Sequence, residues 1–270
     1  METQSNILFR CSRLSDLMVG SFGLTDAQKK TLEKYQERYN GIGKQLTQNQ
    51  LIEYTSLIEK SKNKELSKAT KDLILDTYLY NEFRYFEDVN ADTLFKGKLL
   101  ESEAIAILSE YENIFYKKNK ERKKNEWIIG ECDILSSDKI TDIKISKNVK
   151  TFFEVQELNK SYYYQGIGYM WLWGKQNYSV TYILMPDTDD MIERQLSRLS
   201  YLLIGDDYDK QEKQIIHNND IIKKMPLEMR IKRFEFNMDY NVVEELKVAI
   251  LRAREYYLDK YINSFCAMTG

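Results

Sequence analysis

Apolar residues recur at helical spacing through the first part of the chain and alternate with polar ones in short stretches after residue 127. Residues 1–90 read as helical. One helix starts at Leu24-Thr25-Asp26, carries Leu32, Tyr35 and Tyr39 on its apolar side, and stops at Asn40-Gly41-Ile42-Gly43, where glycine tolerates positive φ. Thr47 caps the next, with Gln50 in the capping-box position. A third covers Lys68 to Tyr80 on the spacing of Leu73, Ile74 and Thr77. A longer helix runs from Asp92 through Glu112.

The period then changes. Trp127–Leu135 and Ile140–Ile145 read as strands joined by a turn at Ser137-Asp138, Glu157–Gly174 as a helix, and "YSVTYILM" from Tyr178 as a strand stopped at Met185-Pro186-Asp187. Residues 189–224 form two helical pieces separated by "GDDYD". "RIKRFEFNM" from Arg230 is a strand, and Asn241 to Ile262 closes the chain as a helix. This order predicts an α/β fold: a central mixed sheet flanked by helices, with a helical N-terminal region. Gly (11) and Pro (2) are scarce and no linker marks a boundary, so residues 1–270 are read as one domain, with 1–90 a helical subdomain and 91–270 the core.

Composition narrows the function classes. The chain has 43% hydrophobic and 30% charged residues, a mixture that folds. Its net charge of -2 is not that of a protein basic over its whole surface, so a nucleic-acid site must be a local patch. Cys11, Cys132 and Cys266 are far apart and form no CxxC pair, which excludes a zinc knuckle or four-cysteine cluster within one chain. Sparse, odd cysteines fit reduced thiols in a cytosol. His217 is the single histidine, so a Ser-His-Asp arrangement needs the fold to bring it to the site. No run approaches the roughly 20 apolar residues of a membrane span. The basic run "KKNKERKK", Lys117 to Lys124, reads either as a solvated turn or as an arm touching phosphates.

The hairpin at 130–146, "GECDILSSDKITDIKIS", carries the candidate chemistry. The turn at Ser137-Asp138 sets Asp133 opposite Asp142 and Glu131 opposite Lys144, and Asp142 and Lys144 share a face. Directly opposed carboxylates repel. Two readings follow: a solvated hairpin face, or a half-buried pair offset by a hard divalent cation with oxygen ligands. Glu101 on the helix from Asp92, and Gln165 with Tyr169 four residues on, read either as packing and surface positions or as parts of the same site. Gly166 and Gly168 weaken their helix and permit close approach to another backbone.

Together these segments resemble the PD-(D/E)XK nuclease superfamily, in its phage lambda-type exonuclease and YqaJ-like viral recombination branch. The resemblance rests on Gly97 to Glu101 on a helix, Asp133 at a strand end, Asp142-Ile143-Lys144 on the next strand, and Gln165 to Tyr169 on the following helix, in that order. "VTYILMPDTDDM", "RIKRFEFNMDYNVVEEL" and the N-terminal "CSRLSDLM" are also similar to family segments. Two positions depart from the pattern: Cys132 stands where a proline usually precedes the Asp, and Asp142 replaces the commoner Glu.

The resemblance implies a restriction-endonuclease-like core and a metal-dependent deoxyribonuclease, a 5′→3′ double-strand exonuclease serving recombination or repair. It implies that Glu101, Asp133, Asp142 and the carbonyl of Ile143 hold Mg²⁺ or Mn²⁺, that Lys144 orients the attacking water, and that Gln165 positions the carboxylates or the water. Ser12 and Arg13 are implied at the 5′-phosphate, and Tyr169 at DNA or in holding its helix. Lys96, Lys98 and the 117–124 run would line the DNA groove. Implied partners are double-stranded DNA with a free end, a single-strand annealing protein and further copies in a ring, in a bacterial host cytosol. The alternative is a catalytically silent nuclease-fold module that binds DNA or protein.

Overall fold

The structure is a computed structural model that describes residues 7–19, 24, 26–62, 65–85, 92–146 and 148–263, the side chains of 26, 62 and 92–95 excepted. Thr25 and Cys266 lie outside the described residues. In chain order the elements are β1 (Phe9–Arg10), α1 (Leu14–Met18), α2 (Asp26–Tyr39), α3 (Gln48–Lys62), α4 (Lys68–Phe83) and α5 (Asp92–Glu112). There follow β2 (Lys123–Lys124), β3 (Ile128–Gly130), β4 (Ile134–Leu135), β5 (Lys139–Ser146), α6 (Val149–Glu154) and α7 (Lys160–Trp173). The rest comprises β6 (Asn177–Leu184), α8 (Asp189–Ser200), α9 (Asp206–Lys224), β7 (Ile231–Asn237) and α10 (Tyr240–Tyr257).

Local chemistry sets most of these limits. The predicted capping box at α3 is present: Gln50 N–H donates to Thr47 Oγ1 at 3.4 Å and Thr47 N–H to Gln50 Oε1 at 3.1 Å. Asn159 caps α7 and Gly174 ends it in the left-handed region at φ 65°. "GDDYD" is no spacer. Its aspartates fill the first turn of α9, where negative charge suits the exposed N–H groups. The helix α6, unforeseen in the sequence, is started by a capping box between Asn148 and Thr151.

The chain divides into two compact units: residues 1–87, 124–130 and 239–270, and residues 88–123 and 131–238. In the first, β1 pairs in parallel with β3, so residues 1–90 are not wholly helical. Arg254, buried on α10, holds this unit's segments together. Its guanidinium donates to Ile7 O at 3.0 and 3.1 Å and to Glu126 O at 2.5 Å, over the ring of Trp127.

The second unit is a four-stranded mixed sheet of order β4-β5-β6-β7. Its central pair, β5 and β6, is parallel, and the edges are antiparallel. One face packs Ile143, Ile183 and Met185 against Leu100, Ala104 and Leu108 of α5. α7 covers the other face. A Cβ at Gly166 would lie 2.5 Å from Phe236 Cζ and 2.7 Å from Tyr178 Cδ1, so only glycine lets α7 come this close. The approach is to aromatic rings, not to the backbone foreseen from sequence. β6 is buried on both faces, as expected of a central parallel strand.

The single strand expected at 127–135 is instead two strands in different sheets, β3 and β4. Between them the backbone turns to another partner: Asn119 N–H donates to Asp133 O at 2.7 Å and Asn119 Nδ2 to Cys132 O at 3.1 Å. Tyr116–Lys124 is accordingly extended rather than a turn, with Lys118 bridged to Ile134. Among the described residues, no helix is long and apolar enough to cross a membrane.

Candidate active site

The hairpin register is the one read from the sequence: Ile134 faces Thr141 and Leu135 faces Ile140. Carried one residue past Ile134 and Thr141, it sets Asp133 beside Asp142. β4 has ended there, and this frayed edge makes the site. Residue 143 still points its N–H and carbonyl toward the missing strand. Asp133 Oδ2 accepts that N–H at 2.7 Å, and the carbonyl of Ile143 faces the same edge.

Asp142 is 1% exposed and Lys144 reaches it, Nζ lying 2.5 Å from Oδ2. That ion pair is what meets Oδ2. Gln165 Nε2 donates to Asp142 Oδ1 at 3.5 Å and to Tyr169 Oη at 3.3 Å. The ammonium of Lys144 also sits 4.5 Å from the centroid of the Tyr162 ring on α7. Glu101 approaches from α5 and is held by Lys118, Nζ to Oε2 at 2.6 Å.

Electrostatics ties the set together. Burial, then the charge of Asp142, pushes the Asp133 carboxyl well above its ordinary range, with a smaller push from Glu101. Burial alone would lower Lys144, but the charges of Asp142 and Asp133 outweigh it and raise the ammonium. Cys132 is pushed up to about 12, by burial first and Asp133 second, so its thiol is protonated beside the carboxylates.

The donors Asp133, Asp142 and Glu101 are all oxygen, which suits a hard divalent ion with water and phosphate completing its shell. The Asp133 carboxyl, raised by burial and by Asp142, marks crowded negative charge that such an ion would offset. Among the described residues no three carboxylate, Cys or His side chains stand close enough together to hold an ion by themselves. Asp133 and Asp142 therefore fit as a central pair, while Glu101 is paired with Lys118.

The remaining predicted residues fall elsewhere. Tyr169 is buried, ringed by Trp173 and Tyr178. Lys98 is exposed on α5. Lys96 is buried rather than groove-lining, with Nζ 2.8 Å from Met185 O and 2.6 Å from Asp187. Ser12 is exposed and Arg13 half-buried in the first unit, Arg13 pairing with Asp16 at 2.5 Å and Asp76 at 3.3 Å. A Cβ at Gly97 would meet nothing within 4 Å, so packing does not demand glycine there. Lys118 and Tyr162 were not singled out from sequence. Tyr162 had a signal, lying three residues before Gln165 and so on the same helix face. Lys118 had none inside its basic run.

No protein-family model and no curated protein matches the sequence. Solved structures do. A phage-related exonuclease from Haemophilus somnus 129PT superposes with a TM-score of 0.64 at 20% identity, over 98% of this chain and 97% of that one. An alkaline exonuclease, LHK-Exo, from Laribacter hongkongensis gives 0.53 at 11% identity over 76% and 89% of the two chains. Its complex with dAMP gives 0.52 at 10% identity over 98% and 96%. The chain has the phage-type exonuclease fold. In this exonuclease fold, the frayed edge of β5 is where Asp133, Asp142 and Lys144 meet.

Proposed function

We propose that the protein is a Mg²⁺- or Mn²⁺-dependent deoxyribonuclease, acting 5′→3′ on linear duplex DNA in phage-type recombination or repair. One observation carries this reading: in a chain with an exonuclease fold, Asp133, buried Asp142 and Lys144 converge where β4 stops, with the Lys144 ammonium against Asp142 Oδ2.

Glu101, Asp133, Asp142 and the carbonyl of Ile143 would hold the ion. When bound, it supplies a Lewis acid that makes water a nucleophile at neutral pH and screens phosphate charge. Lys144 then turns its ammonium from Asp142 toward the attacked phosphate, donating to an oxygen on which charge grows. Gln165 fixes Asp142 through Oδ1, and Tyr169 anchors Gln165 and α7 rather than touching DNA. Lys118, released from Glu101, adds positive charge beside the strand, and Lys98 with the exposed Lys117, Lys120 and Arg122 extends that field along the backbone. Ser12 and Arg13 take the 5′-phosphate, Arg13 exchanging its carboxylate partners for it.

The test is degradation of linear duplex DNA with Mg²⁺, with Mn²⁺ and in EDTA, beside Lys144→Ala. Cleavage is expected only with the ion, and the variant is expected to be slower by about 10²–10³-fold. Closed circular DNA should survive, and a blocked 5′ end should protect. Cleavage in EDTA, or an unaffected variant, would overturn the site. Cutting of circular DNA would overturn the exonuclease assignment alone.

A further inference from the structure

A lysine that serves a phosphate must not collapse onto the carboxylates beside it. Lys144 stands between two such carboxylates and one aromatic face. On one side Asp142 Oδ2 is 2.5 Å from Nζ; on the other the Tyr162 centroid is 4.5 Å away, inside the distance at which a ring face attracts an ammonium. We propose that Tyr162 is the positioning residue for Lys144: its ring face holds the ammonium from the side opposite Asp142, so that the lysine is kept at the mouth of the carboxylate pair and can turn to substrate. The inference rests on the reading of Lys144 as the residue that serves the phosphate.

The ring is built to stay put. Tyr162 sits in the first turn of α7, four residues before Gly166, where that helix presses closest on the sheet. Its edge packs on Tyr182 at 6.1 Å between centroids and 62° between planes. Tyr182 in turn packs edge-on against Phe234 at 5.9 Å and 85°. Tyr182 is also the register partner of Lys144 across β5 and β6, so the lysine stem lies beside the residue that supports the ring. Unlike a carboxylate, a ring face holds a cation without neutralising it and accepts none of its protons. It also takes up none of the N–H donors in a hydrogen bond to oxygen.

The work is done by the ring, not the hydroxyl, and this separates the proposal from a DNA contact through the phenol. Three variants are compared on linear duplex DNA: Tyr162→Phe, Tyr162→Leu and Lys144→Ala. Tyr162→Leu should lower kcat about tenfold with KM little changed, and Tyr162→Phe should restore most of the rate. In Lys144→Ala, adding Tyr162→Leu should cause no further loss. A second readout needs neither DNA nor ion: the NMR signals of the Lys144 ε-methylene, assigned by their loss in Lys144→Ala. They should be displaced by the ring current in the wild type and in Tyr162→Phe, and should relax in Tyr162→Leu.

Tyr162→Phe as slow as Tyr162→Leu would overturn the proposal in favour of the hydroxyl. So would wild-type kcat in Tyr162→Leu, or an undisplaced ε-methylene in the wild type, which is read even if Tyr162→Leu fails to fold. Full activity in Lys144→Ala with the ring-current displacement present would instead overturn the role given to Lys144 and leave the contact standing.

Discussion

Two cations, buried Arg254 in one unit and half-buried Lys144 in the other, show how differently a chain can treat the same problem. Arg254 is 9% exposed, and backbone carbonyls of Ile7 and Glu126 take its donors while Trp127 covers its plane. Nothing there is left wanting, and the guanidinium joins three stretches of chain that are distant in sequence. Lys144 is ion-paired to Asp142, beside a second carboxyl pushed toward its neutral form. The first arrangement spends its polar groups on the fold. The second crowds two carboxyl groups around one ammonium, and titratable groups perturbed in this way cluster at sites with another task. Removing a charge should therefore have opposite consequences in the two places.

The sharpest break of that contrast is Asp142→Asn beside Arg254→Met. Asp142→Asn should slow cleavage by about 10³-fold while the thermal midpoint without divalent ion stays level or rises, since one of two crowded charges is gone. Arg254→Met should do the reverse. It orphans two carbonyls at about 1–3 kcal/mol each, which lowers the midpoint by several degrees, and the protein that remains folded should still cut DNA. Thermal unfolding and cleavage rates on the same samples decide it. A large loss of stability in Asp142→Asn, with Arg254→Met silent, would reverse the assignment of the two clusters.

A smaller effect concerns how α7 is set against the site. Gly166→Ala places a Cβ against Phe236 and Tyr178, an overpacking that costs about 1–3 kcal/mol and pushes Gln165 and Tyr162 away from Asp142 and Lys144. Both stability and kcat should fall together, and Phe236→Leu in the same chain should recover part of each. Independent losses in the double variant would mean that the close approach does not position the site.

That glycine also shows what the sequence could and could not say. Helix ends and hairpin register were legible because they depend on local chemistry: the Thr47 and Gln50 box, the Gly174 stop, and the alternation that set Asp133 beside Asp142. Gly166 could be read as a close approach, but the rings it meets come from β6 and β7, far along the chain. The break between β3 and β4 was not legible, because alternation runs through it and only the competing hydrogen bonds from Asn119 end the strand. Lys118 was hidden among like neighbours, and what distinguishes it is Glu101, 17 residues away. Local codes show in a sequence; choices made by distant partners do not.

The finest test is a slope rather than a loss. The Asp133 carboxyl is raised by burial and by Asp142, so the folded state keeps its proton to a higher pH than the unfolded state, where a free aspartate titrates near about 4. Between those two values the folded state binds more protons, and stability must fall as pH rises. In EDTA the wild type should therefore lose stability from about pH 4 up to the folded value and then level off, whereas Asp133→Asn should lack that decline. Adding Mg²⁺ or Mn²⁺ should cancel the slope in the wild type, because an ion that binds only the folded, ionised site favours the form that burial disfavours. Arg254 stays charged across this range, so Arg254→Met should shift the whole curve down without changing its shape. Urea unfolding at several pH values with and without the ion gives all three curves. If Asp133→Asn keeps the wild-type slope, the strain belongs to some other group and the carboxylate pair is not the site of the excess charge.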